Sequence, residues 1–447
     1  MHDAKTPAEQ LRDLALAKSR AHDWVRELAD GVGARLAGTP GDAKAVAWAK
    51  AKMAAVGLAN VHTEPVTVPH WERGIETGEV TFPSKQLLAL TALGGSVPTP
   101  EQGIEAELIE LSSLKEADLL PEDKLRGKIA FFNQPMERTK SGESYSKVSP
   151  IRRSGASKAA ARGAVGMVMR SLSTAENRLP HTGAMQYEAG GPKIPAAALS
   201  LPDADLLHRL LALGQPVRVR FTLGCRSLPD AQSANVVGEV VGREKPDEVV
   251  LLGAHLDSWD LATGALDDGA GVGMVLEVGR LIAQSQPHPR RTIRIVLFAN
   301  EEHGLNGAFA YAHAHESELG RHVAALELDH GTGRPYGVTY LGGPSAAGVM
   351  NEICGPLRDL GLPPPTSGSR GGADLIPLHP SGVPLISLQQ DGTYYFDIHH
   401  SADDTFDKVD PAAMSQTVAA ATALVYGLAD SPNDLGRVPE EQRKQQP

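Results

Sequence analysis

Cysteine is almost missing from this chain: Cys225 and Cys354 are the only two among 447 residues. Two thiols are too few for a disulfide framework or a cysteine-ligated zinc site, so any metal must be held by histidine and carboxylate side chains. Basic residues are in deficit as well, 43 Lys+Arg against 54 Asp+Glu for a formal net charge of −11. That balance argues against a nucleic-acid binder, because phosphate neutralisation needs a basic surface. Long apolar runs are also lacking. The longest stretch, near Leu87 to Leu93, falls far short of the roughly 18 to 20 residues of a membrane helix, so no membrane span is expected. The first twenty residues are polar and helix-forming, with no basic stretch followed by an apolar one. The expectation is either a cytoplasmic protein or an exported one whose signal has been removed. What the chain does have is 41 % hydrophobic residues and 46 glycines, enough for one to three folded domains with a large core.

Apolar periodicity predicts a helix from Ala8 to Leu28, another from Asp42 to Val56 closed by Gly57, and a strand from Val61 to Val68. From about Ile104 to Thr222 short β-rich runs (AELIEL, GKIAFFN, GMVMR, PVRVRFTL) surround one helical stretch, Ser154 to Arg162, and read as a compact module inserted into something else. From Ala234 strands and helices alternate: NVVGEVVG, EVVLLGA, a helix from Gly271 to Gln284, RTIRIVLFAN, a helix from Leu305 to Leu319, then VAALELD. Such alternation implies an α/β layer with a largely parallel sheet, whose functional groups gather just past the carboxyl ends of the strands. The polar tail after Ser431 is expected to fray.

The unusual polar clusters of the second half fall where the strand patterns stop. After Val249 to Leu252 comes GAHLDSWD, which puts His255 and Asp257 on one side of an extended backbone. A carboxylate beside a histidine can orient the ring while the other ring nitrogen takes a metal. Asp267 follows twelve positions later in GALDDGAG, with Asp268 as its competitor for the same role. The next strand runs into Glu301 and Glu302, adjacent acids that a cation or a shared proton must relieve, so that one can bind metal while the other holds a water for deprotonation. Asp329 sits at the tip of the following strand, and FDIHHSADDT supplies His399 and His400 beside another acidic cluster. His303, His313, His315 and His322 read as surface residues. An oxygen-and-imidazole donor set suits zinc, with manganese or cobalt as substitutes, and a carboxylate between two ions suits a pair about 3.5 to 4 Å apart.

These motifs, together with RLAGTP near the start, GASKAAARGAVGMV in the inserted module, NEEHGLNGA and GTYYFDIHHSADDTFDKVDP, resemble the co-catalytic zinc aminopeptidases of the M28 class, in the branch that carries a protease-associated domain. The resemblance spans nearly the whole chain. It implies a mixed, mostly parallel sheet between helices, formed by residues 1–104 and 226–447, with a protease-associated domain inserted at 105–225. It also implies two zinc ions, with His255, Glu302, Asp329 and His400 as ligands, Asp267 as the bridging carboxylate, Glu301 as general base and Asp257 orienting His255. His400 fits the motif better than His399, which then stands where relatives often place a tyrosine near the developing oxyanion. Tyr394 and Tyr395 are further candidates there, and Arg370 in the SGSRGGAD loop is a candidate for pairing with a terminal carboxylate.

The implied activity is hydrolysis of short peptides or dipeptides with a free N-terminal amine. The expected partners are that peptide and a second copy of the chain in a homodimer. Because the branch is typically exported, a secreted or periplasmic location is expected ahead of a cytoplasmic one. A carboxypeptidase or deacylase acting from the other end, and a non-catalytic binding protein of the same domain pair, are the alternatives. The M20-type deacylases use a similar ligand series, but their extra domain lies between the fourth and fifth ligands. Here only 71 positions separate Asp329 from His400, and the extra module precedes His255.

Overall fold

The computed structural model describes residues 5–121 and 123–443. The valine- and leucine-rich runs of the second half pair into an eight-stranded sheet in the order Ala59–Glu72, Arg226–Val240, Arg291–Phe298, Lys245–His255, His322–Glu327, Leu385–Gln390, Pro335–Leu341, Thr366–Ser367. The four strands from Arg291–Phe298 to Leu385–Gln390 are parallel, and the pairs that flank them are antiparallel. Period-two alternation sends Val250, Leu252 and Ala254 into one core, under the helices Pro7–Lys18, Ala21–Gly31, Pro40–Ala55, Ala270–Ala283 and Pro411–Asp430. Leu251, Val296 and Phe298 enter the opposite core, under Asn306–Ala314 and with Leu375 and Leu378. Burial on both faces is why these strands are apolar throughout. The fold is mixed α/β, a sheet between helical layers, as expected.

Several local expectations are corrected. The predicted helix from Ala8 to Leu28 is two helices, Pro7–Lys18 and Ala21–Gly31. Side chains take over the backbone donors between them: Ser19 Oγ accepts from Ala21 N–H (3.3 Å) and Glu277 accepts from Arg20 N–H (3.1 Å). The predicted helix from Leu305 to Leu319 stops at Ala314. The longest apolar element is not Leu87 to Leu93 but the 20-residue helix Pro411–Asp430, long and apolar enough to cross a membrane by length and composition alone. Of its apolar window 78 % is buried inside the fold, which makes it a core helix. The tail after Ser431 does not fray through Arg443: Val438 and Leu435 are buried, and Arg437 donates to the carbonyls of Leu319 (3.0 Å) and His322 (2.8 Å).

A second eight-stranded sheet has the order Gln86–Leu87, Glu76–Phe82, Arg218–Leu223, Ile104–Leu111, Ile129–Phe132, Gly166–Arg170, Ala196–Leu199, Leu90–Ala92. Three of its strands precede residue 104, so the expected boundary at 105 falls inside the sheet. Membership is set by long-range pairing, such as Glu76 with Leu223, which leaves no local mark in composition. Besides the expected helix, which runs over Glu143–Ala161, this unit carries Leu114–Leu119 and Leu201–Ala212. The chain leaves and re-enters the first sheet at neighbouring positions, since Glu72 pairs with Arg226.

Candidate metal centre

The parallel strands bring their carboxyl ends to one place, beside the switch in strand order, which is where an open α/β sheet leaves a crevice. His255 ends its strand fully buried. Its Nε2 lies 3.1 Å from Asp267 Oδ1 and 3.6 Å from Asp329 Oδ1. On the other side of the ring, Nδ1 meets the Asp257 carbonyl oxygen at 3.1 Å, which assigns the proton to Nδ1 and leaves the Nε2 lone pair facing the carboxylates. The Asp257 carboxylate accepts from the backbone N–H groups of Glu301 (3.0 Å) and Glu302 (3.3 Å). Asn300 makes that geometry possible by turning the chain through the left-handed region (φ 63°), which asparagine enters more readily than most residues.

Asp267 rather than Asp268 faces the centre. Asp268 is spent on the backbone N–H groups of His255 (3.2 Å) and Gly271 (3.0 Å). Asp404 in turn accepts from Leu266 N–H (2.7 Å) and Asp267 N–H (3.2 Å), fixing the turn from which Asp267 projects. A side chain at Gly271 would place its Cβ 1.9 Å from the Leu328 carbonyl oxygen, so only glycine lets the helix start against the Asp329 strand. His400 completes the set: its Nε2 is 3.2 Å from Asp267 Oδ2 and 2.9 Å from Glu302 Oε2. His399 stacks on it with ring centroids 3.5 Å apart, and its Nε2 stands 3.5 Å from Asp267 Oδ2.

Two groups of donors, His255 with Asp267 and Asp329, and Asp267 with His399 and His400, each converge within 4.8 Å and share Asp267. Among the described residues, buried Asp267 Oδ2 and Glu302 Oε1 have no hydrogen-bond partner, which is costly unless a cation takes them. Burial disfavours a charged His255, yet Asp257, Asp267 and Asp329 outweigh it and raise its pKa well above the ordinary value. Burial, reinforced by Asp329, Glu302 and Asp267 against His255, holds Glu301 well above the usual carboxylate range. A negative, desolvated cluster of oxygen and imidazole donors without cysteine fits a hard or borderline divalent metal.

The second sheet's unit closes the other side. Thr182 N–H donates to the His400 carbonyl (2.9 Å) and the Thr182 carbonyl lies 3.2 Å from His400 Nδ1, so His400 is oriented by a backbone oxygen as His255 is. Arg138 grips Asp397 with two bonds of 2.8 Å, and Tyr145 stacks on Phe396 with centroids 4.9 Å apart. The resulting cleft, about 530 Å³, is lined by Glu301, Asp329, His399 and Tyr395 from one unit and Tyr145 and Arg152 from the other.

Two sequence candidates are placed elsewhere. Tyr394 is 69 % exposed with Arg138 over its ring (4.9 Å), and it is the buried Tyr395 that faces the cleft. Arg370 is exposed and does not line the cleft, whose wall from that loop is Ala373 and Ile376. His322, read as a surface residue, is fully buried: Tyr311 O–H donates to its Nε2 (2.8 Å) and its Nδ1–H reaches the Glu318 carbonyl (3.1 Å). Arg35, within RLAGTP, is not among the residues that the sequence singles out. It is fully buried and donates to the carbonyls of Leu256 (2.6 Å), Thr263 (2.6 Å) and Gly264 (2.8 Å), clamping the segment between His255 and Asp267. A basic residue inside an apolar-glycine motif was the only local signal.

Residues 235–425 match Peptidase family M28. Human carboxypeptidase Q is 35 % identical over 421 residues, covering 94 % of this chain and 88 % of that protein. The chain belongs to peptidase family M28. This M28 chain is accordingly a metallopeptidase. A solved M28 peptidase precursor from Shewanella amazonensis superposes with a TM-score of 0.95 at 42 % identity, over 97 % of this chain and 98 % of that one. A zinc aminopeptidase from Bacillus subtilis shares the fold with a TM-score of 0.66 at 22 % identity, over 94 % and 97 % of the two chains.

Proposed function

We propose that this metallopeptidase is a di-zinc exopeptidase acting on short peptides or dipeptides with a free N-terminal amine. The observation that carries the reading is two sets of donors hinged on Asp267, His255 with Asp329 on one side and His400 with Glu302 on the other, with Glu301 beside them on a backbone N–H held by Asp257. His255 and Asp329 would hold one ion and Glu302 and His400 the other, with Asp267 between. When bound, zinc supplies Lewis-acid polarisation of the peptide carbonyl and a water acidified toward neutrality.

The protein groups do the rest. Glu301, desolvated and with a raised proton affinity, accepts the proton of the attacking water and returns it to the departing amine. Asp257 keeps the Glu301 backbone and the His255 ring in register. Asp329 and Glu301 form the acidic end of the cleft, where an α-ammonium group is welcome. His399, kept neutral by burial and the neighbouring His400, presents an N–H toward the position of the developing oxyanion. The unit on the second sheet corresponds to the protease-associated insertion and bounds the cleft, favouring short substrates. The similarity to a protein named carboxypeptidase Q keeps the opposite polarity as an outcome to be tested.

The test is elemental analysis with hydrolysis of an unblocked dipeptide, its N-acetylated form and an aminoacyl p-nitroanilide, with and without chelator. About two zinc equivalents and chelator-sensitive cleavage that needs the free amine are expected. Preference for the blocked peptide would overturn the polarity, and activity that survives metal removal would overturn the reading.

A further inference from the structure

We infer that Arg152, from the unit opposite the metal ligands, takes the C-terminal carboxylate of the substrate, so that a dipeptide is held at both ends. The inference rests on the exopeptidase reading and names the part of the substrate that its other residues leave unrecognised. Arg152 lies in the helix Glu143–Ala161, is 7 % exposed, and lines the cleft with Glu301, Asp329 and His400. Among the described residues it pairs with no carboxylate, although acids crowd the rest of the centre. Among the described residues its buried Nε has no hydrogen-bond partner, and its one polar contact is Nη1 to His400 Nδ1 at 3.3 Å. That nitrogen needs its own proton for the Thr182 carbonyl, 3.2 Å away, if Nε2 is to face a metal, so it cannot accept from Arg152. A guanidinium does not escape burial by losing its proton, and a buried cation without an anion is costly.

The surroundings are shaped for the side chain. Tyr145 supports one face of the guanidinium at 5.4 Å, which leaves its edge free for a planar partner. Gly183 makes room for it, since a Cβ there would fall 2.2 Å from Nη1. Direction follows from charge. Asp329 stands on the His255 side of Asp267 and Arg152 on the His400 side. A peptide whose ammonium group meets the acidic end therefore presents its other terminus to Arg152, where a carboxylate forms a two-bonded fork.

The experiment compares a dipeptide with its C-terminal amide as substrates of the zinc-loaded wild type, Arg152→Gln and Arg152→Lys. The wild type is expected to prefer the free acid about 10- to 100-fold in kcat/KM, chiefly through KM. That ratio falls to near one in Arg152→Gln, and Arg152→Lys keeps part of it as a charge without the fork. Equal use of acid and amide by the wild type, or an equal loss on both in Arg152→Gln, would overturn the proposal and leave Arg152 a support for His400. Calorimetric binding of a reduced-bond dipeptide isostere and its amide reads the same ratio without turnover. Hydrolysis with no acid preference defeats the Arg152 proposal alone, whereas acid-selective binding without hydrolysis defeats the peptidase reading alone.

Discussion

Glu301 and Glu302 are adjacent in sequence, yet it is Glu302 that reaches His400, at 2.9 Å, while the Glu301 side chain lines the cleft. Their backbone N–H groups share one acceptor, Asp257, so the two side chains diverge from a common anchor. Replacing Glu301 by Gln keeps the shape and removes the proton acceptor. A drop of about 10² to 10⁴ in kcat with unchanged metal content is expected from kinetics and elemental analysis, and parallel loss of metal would make Glu301 a ligand instead. His322 gives a separate prediction about stability. Burial lowers its pKa to about 4, below the 6.5 of the unfolded chain, so the neutral ring stabilises the fold fully above about pH 6.5. That contribution is lost as pH falls from about 6.5 to about 4, by up to about 3 kcal/mol. Urea midpoints at pH 7 and pH 4.5 should differ less in His322→Asn than in the wild type, and an unchanged difference would refute the assignment.

At the scale of elements, each central strand ends in a turn that side chains hold in place. Arg35 clamps the segment after the His255 strand, Asp257 ties it to the turn after the Phe298 strand, and Asp404 fixes the turn that carries Asp267. His400 itself adopts a left-handed backbone (φ 60°), a conformation that costs a non-glycine residue of order 1 to 3 kcal/mol and persists because Thr182 holds it from the other unit. Asp257→Asn can accept through one oxygen only and loses one of the two backbone bonds. Zinc affinity is expected to fall about 10- to 100-fold in a competition with a chelator, and unchanged affinity would show that the turn carrying Glu302 needs no such support. The elements that local pattern named well are the ones whose ends carry this chemistry. His255, Glu301, Glu302 and Asp329 were legible because a strand-like run stops immediately before each. The helix Pro411–Asp430 and the break at Ser19 are not legible in the sequence, because a helix buried nearly all round has no amphipathic face and a side-chain competitor leaves no periodicity.

For the whole molecule, the second unit is a wall of the site, since Thr182, Tyr145 and Arg152 reach His400, His399 and the cleft from it. Removing residues 74–224 and joining the adjacent strand ends is therefore expected to abolish cleavage of the shortest peptides together with longer ones. Retained dipeptide hydrolysis by a deletion variant with native circular dichroism would show instead that the unit only filters by length. The amino-acid sequence by itself determined the α/β class, the histidines and carboxylates available and their positions at strand ends, because strand and helix periods are local properties of a chain. Tertiary structure alone decided which of Asp267 and Asp268 turns inward, that Tyr395 rather than Tyr394 meets the cleft, where the second sheet begins, and that Arg152 lies beside His400 across 248 positions of sequence. Those outcomes depend on packing between distant segments, where close contact and the cost of burying an unpaired charge or hydrogen-bonding group select one arrangement, and no local pattern records the choice.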